Sequence, residues 1–304
     1  MSRKLFGVRV EKSKGEITRR ELLGAGALSN DFRPLNDGDY LIFPVADEMM
    51  ATGEYIFEER PKKEALPRHE LIGGIAIMQD DDVRSAGLLL KSRPVIHTVL
   101  HSESAVQGEY RIKEFKVLAG KDTTETLYVE YGHRFLIDLS VAYFSARLAN
   151  ERQRIYEIMD ENERVLDMFA GVGPFPIALS DKASVIFAGD INPGAVSLMQ
   201  KNIGLNKKRN IIPMLADALH LGNILPAHSF DRIIMNLPMT SDEFLEVAFK
   251  LCKKGGTVHF YTLQSEEGEM TDTLRRFTKG SIREKMVRSY SPVQHHAVYD
   301  VCCE

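Results

Sequence analysis

Along this chain, apolar residues gather in short runs separated by glycine turns and by stretches with helical spacing, a rhythm clearest in the second half. Val165-Leu166-Asp167-Met168-Phe169-Ala170-Gly171-Val172-Gly173-Pro174-Phe175 is one such run, closing on two glycines, and an amphipathic segment over residues 176–179 follows directly. That order predicts a buried strand, a tight turn and a helix. The glycines let the backbone pass close to a ligand, and Pro174 gives up an amide hydrogen that would have been unpaired at a helix start. Further strands are expected over 184–190, 210–216, 230–235 and 257–263, and helices over 242–251 and 269–279. Strands over 284–290 and 297–302, parted by Ser291-Pro292, close the chain as an antiparallel pair. Alternating strands and helices with a terminal hairpin predict an α/β, doubly wound sheet with ligands at the strand carboxyl ends.

Upstream the units are smaller. Residues 1–46 alternate basic and apolar positions around a helix over 17–23 and a strand over 40–45, enough for a very small module. Residues 47–65, charged and carrying Thr52-Gly53 and Pro61, read as a linker. Residues 66–140 predict a compact α+β unit: a strand over 71–78, a helix over 82–90, strands over 95–100 and 110–118, and a hairpin turning near Tyr131-Gly132. The polar stretch 102–111 interrupts two apolar strands, as a scaffold does when it presents a functional loop. Arg111 ends that stretch, and spacing alone favours a cross-strand ion pair with Glu109 or Glu114. In the last unit, residues 141–304, the segment 141–152 leads into a helix ending near Met159, with Ser145 as its expected N-cap. Arg147 and Glu151 share a helical face with Arg154 nearby. This is either a surface salt pair or a carboxylate and two arginines facing a ligand mouth.

The polar residues at the strand ends bear on the ligand. A glycine turn after a strand serves dinucleotides and S-adenosylmethionine alike, but Pro176 stands where the dinucleotide pattern wants a third glycine. Asp190 ends the second strand, placed for two ribose hydroxyls. Asp217 ends the third, placed for an adenine amino group, and Asn236-Leu237-Pro238 ends the fourth. Taken singly, Asp190 and Asp217 could be helix N-caps; as an ordered set, the four strand ends fit methyltransferases best.

Composition narrows this further. With 304 residues and 44% hydrophobic content, two or three domains are expected. No long apolar run, leader-like amino terminus or low-complexity tail is present, which predicts a cytoplasmic protein. Cys252, Cys302 and Cys303 lack metal-ligand spacing and read as reduced thiols. A net charge of −4 gives no bulk support for nucleic-acid binding, so any RNA surface must be local. The candidates are Lys207-Lys208-Arg209 and the group Arg275, Arg276, Lys279 and Arg283, although such runs are usually solvated faces. Residues 1–46 are the only domain-sized piece with a positive balance, eight Lys or Arg against six Asp or Glu.

Several motifs together resemble the archaeal and eukaryotic type of tRNA (guanine37-N1)-methyltransferase over essentially the whole length. They are Gly108-Glu109-Tyr110-Arg111 with Val117-Leu118-Ala119-Gly120, Tyr143-Phe144-Ser145-Ala146-Arg147-Leu148, the glycine-turn run from Asp167 to Phe175, Asp190-Ile191-Asn192-Pro193, and Asn236-Leu237-Pro238. The resemblance implies a class I, Rossmann-like S-adenosylmethionine-dependent methyltransferase domain preceded by two small α+β domains. The first would dock on the tRNA body, and the second would help hold the anticodon loop. A monomer acting on tRNA with G at position 37 is expected, with no membrane or DNA, and no metal ligand set is evident. Ala146 departs from the family, which usually has proline there.

For the site, the resemblance makes Glu151 the general base for the N1 proton of guanine and Arg111 the partner of O6, where negative charge then gathers. Burial would help Glu151 by raising its pKa. Tyr143 and Asn236 match positions that fix the target base; Met239 is not the stacking aromatic of amino-group methyltransferases, which leaves Tyr143 as the natural ring. The cofactor positions are Arg152, Asp167, Phe169, Gly171, Gly173, Asp190 with Ile191, Asp217 with Ala218, and Asn236. One rival is a wyosine-pathway transferase acting at the same tRNA position, by methyl or aminocarboxypropyl transfer. Another is a non-catalytic RNA-binding relative, against which the intact cofactor set argues.

Overall fold

The computed structural model describes all residues except 1, 61–65, 105–107, 109, 111 and 240, and the side chain of residue 241. The chain separates into two units, Met1–Ala65 and Leu66–Glu304. Among the described residues no helix is long and apolar enough to cross a membrane.

The first unit is an antiparallel sheet in the order β2-β3-β1-β4, made of β1 (Ser2–Glu11), β2 (Leu35–Asp37), β3 (Tyr40–Pro44) and β4 (Gly53–Glu58), with helix α1 (Gly15–Gly24) after β1. Leu22, Ala27, Phe43 and Val45 fill one small core, and Phe32, Ile42 and Phe57 another. The linker expected over 47–65 is corrected here: β4 pairs with β1 from Ser2↔Glu58 to Gly7↔Gly53. Its inward residues, Tyr55 and Phe57, alternate with exposed Glu54, Ile56 and Glu58, so the charges hide a period-two pattern. A Cβ on Gly7 would stand 2.7 Å from Tyr55 and 2.9 Å from Phe57, so only glycine lets those rings lie across β1.

The second unit opens with a four-stranded sheet, β5 (His69–Ile72), β6 (Ile75–Met78), β7 (Thr98–Ser102) and β8 (Phe115–Gly120), with α2 (Val83–Ser92) crossing from β6 to its parallel neighbour β7. The single strand expected over 71–78 is therefore a hairpin, folded at Gly73, whose φ of 56° suits glycine. The strand expected over 110–118 begins only at Phe115. The hairpin β9 (Glu125–Glu130) and β10 (His133–Asp138) turns at Tyr131-Gly132 as expected and packs on both sides, Thr126 accepting from the Gly74 amide (2.8 Å) between β5 and β6 while Phe135 and Ile137 share a core with Ile72 and with Phe175 and Met199 of the following helices. Buried Asn202 accepts from the Leu136 amide (2.7 Å) and donates to the Leu136 and Val172 carbonyls (3.0 Å each), tying β10 to the glycine turn.

The largest sheet has the order β13-β12-β11-β14-β15-β17-β16, from β11 (Glu163–Asp167), β12 (Ala183–Asp190), β13 (Ile211–Leu215), β14 (Phe230–Met235), β15 (Cys252–Gln264), β16 (Ile282–Ser289) and β17 (His295–Cys302). β11 to β15 run parallel, and β17 is antiparallel to both neighbours. Helices α3 (Ala149–Ile158), α4 (Pro174–Leu179) and α5 (Pro193–Leu205) cover one face through Ile155, Phe175, Ile177 and Met199. Helices α6 (Leu221–Ile224), α7 (Leu245–Leu251) and α8 (Thr271–Leu274) cover the other through Leu221, Leu245, Leu251 and Leu274. The chain steps from β11 to β12 and β13 on one side and then crosses back to β14 on the other, which opens a crevice at the carboxyl end of β11. The helix expected over 269–279 shrinks to Thr271–Leu274. Beyond it, Thr278 donates to the Cys302 carbonyl (2.7 Å), and a Cβ on Gly280 would lie 2.4 Å from that oxygen, so the segment is turned down onto β17.

Candidate active site

At the end of β11, Asp167 is 1% exposed. Its Oδ1 accepts from the Phe169 amide (3.1 Å), whereas Oδ2 has no partner among the described residues. Burial pushes this carboxyl up to about 8. The turn behind it bends through Gly171 and Gly173 at φ of 54° and 88°, left-handed values that favour glycine. Phe169 meets Phe244 edge-on at 4.9 Å.

Asp190, ending β12, receives the Gly171 amide on Oδ2 (2.7 Å) and the Asn192 amide on Oδ1 (2.9 Å), and burial raises its pKa. Asn192 caps α5 through the Gly194 amide (2.9 Å) and donates to the Val141 carbonyl (2.7 Å), fastening the segment before α3 beside the turn. Ile191 is half-buried. Asp217 realises the capping alternative: it accepts from the Leu219 amide (2.9 Å) and faces His220 Nδ1 (3.0 Å), over the buried Ala218. After β14, Asn236 Oδ1 is buried without a partner among the described residues, and Pro238 accepts from the Leu263 amide (2.9 Å), joining this segment to the end of β15. Two buried acceptors without donors, on adjacent strand ends beside a glycine turn, fit a ligand that brings amino donors, as S-adenosylmethionine does.

On α3, Glu151 is 5% exposed, and its carboxylate is held by Arg154 (Nε to Oε2 2.9 Å, Nη2 to Oε1 2.7 Å) and by the Tyr261 hydroxyl (2.6 Å to Oε1). Arg147, expected to share that face, pairs instead with Glu70 (3.2 Å) at a well-exposed position. Arg152, expected on the cofactor side, has its guanidinium bound by Glu130 of β9 through two hydrogen bonds and reaches the Ser145 carbonyl (3.4 Å). The expected Ser145 cap is absent, since its side chain makes no capping bond before the 3-10 turn Ala146–Leu148. Arg111 and Glu109 lie outside the described residues.

Tyr143, half exposed, lines a cleft of about 560 Å³ together with Arg68, Lys113, Arg147, Arg288 and Tyr290. Cations interleaved with aromatic rings suit phosphates and unstacked bases. The basic runs singled out in the sequence are partly tied up elsewhere, Lys208 with Asp181 (2.7 Å) and Arg275 with the Gly280 carbonyl (2.6 Å). The cleft draws its cations singly from distant segments, and no sequence run marks them.

Residues 126–288 match the TRM5/TYW2 methyltransferase domain, and residues 7–51 match the tRNA methyltransferase 5 N-terminal domain. The chain is 33% identical to the tRNA (guanine(37)-N(1))-methyltransferase Trm5b of Pyrococcus abyssi over 97% of its own length and 98% of the relative. A solved complex of aTrm5 and tRNALeu is similar with a TM-score of 0.80 and 29% identity, covering 98% of this chain and 100% of that one. The tRNA 4-demethylwyosine(37)-methyltransferase Taw21 of Saccharolobus solfataricus is 32% identical over 77% of this chain and 93% of the relative.

Proposed function

Because the chain belongs to the TRM5/TYW2 methyltransferase family, we propose that it is a tRNA (guanine37-N1)-methyltransferase, moving a methyl group from S-adenosylmethionine to N1 of guanosine 37 in the anticodon loop. The observation that carries this is the placing of two unpartnered buried acceptors, Asp167 Oδ2 and Asn236 Oδ1, at adjacent strand ends in a domain that also buries a helical carboxylate, Glu151. The match of residues 7–51 to the tRNA methyltransferase 5 N-terminal domain favours guanine methylation over the wyosine alternative, whose relative Taw21 matches only 77% of the chain.

When bound, S-adenosylmethionine supplies a methyl group on a sulfonium. Asp167 would offer its unpaired oxygen to the ammonium end, Asp190 would accept from the ribose, and Asp217, beside its capping bond, would accept from adenine. Guanine N1 carries a proton and is a poor nucleophile until that proton leaves. Glu151 takes it: a carboxylate has about four lone-pair sites, and the described donors use two on Oε1 and one on Oε2, so Oε2 retains a place for it. Arg111 holds the charge that collects on O6. Tyr143, at the rim of the cleft, stacks on the extruded base, and Asn236 fixes its edge. The first unit docks on the tRNA body.

The test is to incubate transcripts bearing G or A at position 37 with labelled cofactor and to identify the product by mass spectrometry. 1-Methylguanosine on the G37 transcript alone, with S-adenosylhomocysteine released, is expected. Release of methylthioadenosine, or an untouched G37 transcript, overturns the proposal.

A further inference from the structure

Glu151 stands at one end of a partly buried line of ion pairs and hydrogen bonds that the mechanism above does not use. Arg154 divides its guanidinium between two carboxylates: besides Glu151, it donates to Asp300 of β17 from Nη1 (2.6 Å to Oδ2) and Nη2 (3.1 Å to Oδ1). Asp300 Oδ1 also faces His259 Nδ1 at 2.6 Å, and His259 Nε2 faces Arg232 Nη1 at 2.6 Å. Arginine has no acceptor, so Nε2 is the bare nitrogen and Nδ1 carries the hydrogen donated to Asp300. Burial lowers the pKa of His259, in keeping with that neutral form. Arg232 then closes the line on Glu163 (2.6 and 2.8 Å).

The charges along this line do not cancel. Glu151, Asp300 and Glu163 face Arg154 and Arg232, with His259 neutral, so one carboxylate is in excess. Burial pushes the Asp300 carboxyl up, but the hydrogen bonds from His259 and Arg154 outweigh it and hold it well below the usual carboxylate range. Asp300 therefore keeps its charge and its share of Arg154. Around Glu151 the other partner is Tyr261 from β15, whose ring also meets His296 of β17 at 5.7 Å; Arg147 and Arg152 on its own segment pair with Glu70 and Glu130 instead.

We propose that Asp300, by holding half of Arg154, is a positioning residue that sets how readily Glu151 accepts the N1 proton. The proposal rests on Glu151 being the base. With Asp300 charged, Arg154 steadies Glu151 without committing its whole charge to it. In Asp300→Asn the full cation falls on Glu151, which then holds a proton less well and becomes a weaker base.

Single-turnover methyl transfer at saturating cofactor and tRNA transcript, followed from pH 5 to 9, tests this. For Asp300→Asn the rising acid limb should move down by about one pH unit or more, and the plateau should fall, while calorimetric affinity for S-adenosylmethionine stays at the wild-type value. Asp300→Glu keeps the charge and should keep the limb. His259→Phe leaves Asp300 more dependent on Arg154, draws the guanidinium from Glu151 and should move the limb upward, which provides a second test should Asp300→Asn not fold. A limb fixed at its wild-type position in the folded variants overturns the proposal. Glu151→Gln separates the two readings: if it retains the wild-type rate and limb, the base assignment fails, whereas if it abolishes the limb and Asp300→Asn leaves it in place, only the role of Asp300 fails.

Discussion

The amide of Gly171 donates to the carboxylate of Asp190 at 2.7 Å, so the residue expected to hold the ribose also pins the turn expected to receive the cofactor. Asp190→Ala removes both contributions and should weaken S-adenosylmethionine binding by at least the roughly 1.5 to 3 kcal/mol of one charge-assisted hydrogen bond. Calorimetry on the folded variant checks this, and unchanged affinity removes the assignment.

Asp167 makes the opposite demand on stability. Its folded-state pKa, about 8, lies above the ordinary 3.8, so the folded chain binds the proton more tightly than the unfolded chain does. Stability is then full below pH 3.8 and is lost as pH rises toward 8, by up to roughly 6 kcal/mol at about 1.4 kcal/mol per pH unit. Without cofactor, Asp167→Asn should lose much less stability than the wild type between pH 5 and pH 8 in denaturant titrations, yet bind S-adenosylmethionine more weakly. Identical pH dependence in the two proteins would show that the buried carboxyl is not titrating.

His296 acts at the acid side. It is 2% exposed with both ring nitrogens unpartnered among the described residues, and burial followed by the nearby Arg288 lowers it to about 4. A lowered folded-state value means stability that is present above pH 6.5 and lost as pH falls toward 4, by roughly 3 kcal/mol. His296→Leu should flatten that acid-side loss, and unfolding midpoints compared at pH 7 and 5 would reveal it. An equally steep loss in the variant would assign the effect to other groups.

What could be read in the chain divides along physical lines. β11, the glycine turn and the polar ends of β12, β13 and β14 are legible because each is a local pattern, an apolar run closed by a residue of fixed chemistry. β4 is masked because Glu54 and Glu58 give a charged appearance to a strand whose Tyr55 and Phe57 point inward. The line behind Glu151 is invisible for another reason. Arg154 and Asp300 are 146 positions apart and His259 and Asp300 are 41 apart, and a charged residue aimed into a sheet face looks in sequence like one aimed at solvent. Arg152 illustrates the converse: a motif position marks it, while its partner Glu130 lies on a hairpin that the sequence assigns to the preceding unit.

The pairing of β4 with β1 changes how the first unit must be removed. A cut after residue 46 would leave β4 without its partner strand and expose Phe57, whereas deletion of residues 1–65 takes the unit whole. The larger deletion should raise KM for full-length tRNA much more than for an isolated anticodon stem-loop. Equal losses on both substrates would mean that the unit serves folding rather than docking.

Glu151 and Arg111 are expected to act on the two ends of one electronic shift. A carboxylate is a weak base for the N1 proton, and in this structure three donors already hold it, so it needs help from the substrate side. A cation at O6 supplies that help by stabilising the charge left behind, which lowers the hold of N1 on its proton. Glu151→Gln and Arg111→Ala should each slow methyl transfer, with roughly 10²- to 10⁴-fold for the lost base, while cofactor affinity stays nearly intact. If the two act as one unit, the double variant loses less than the product of the single losses. Single-turnover rates of the three variants decide between the cases: multiplicative losses would mean that base and cation work independently, with proton removal and charge stabilisation as separate events.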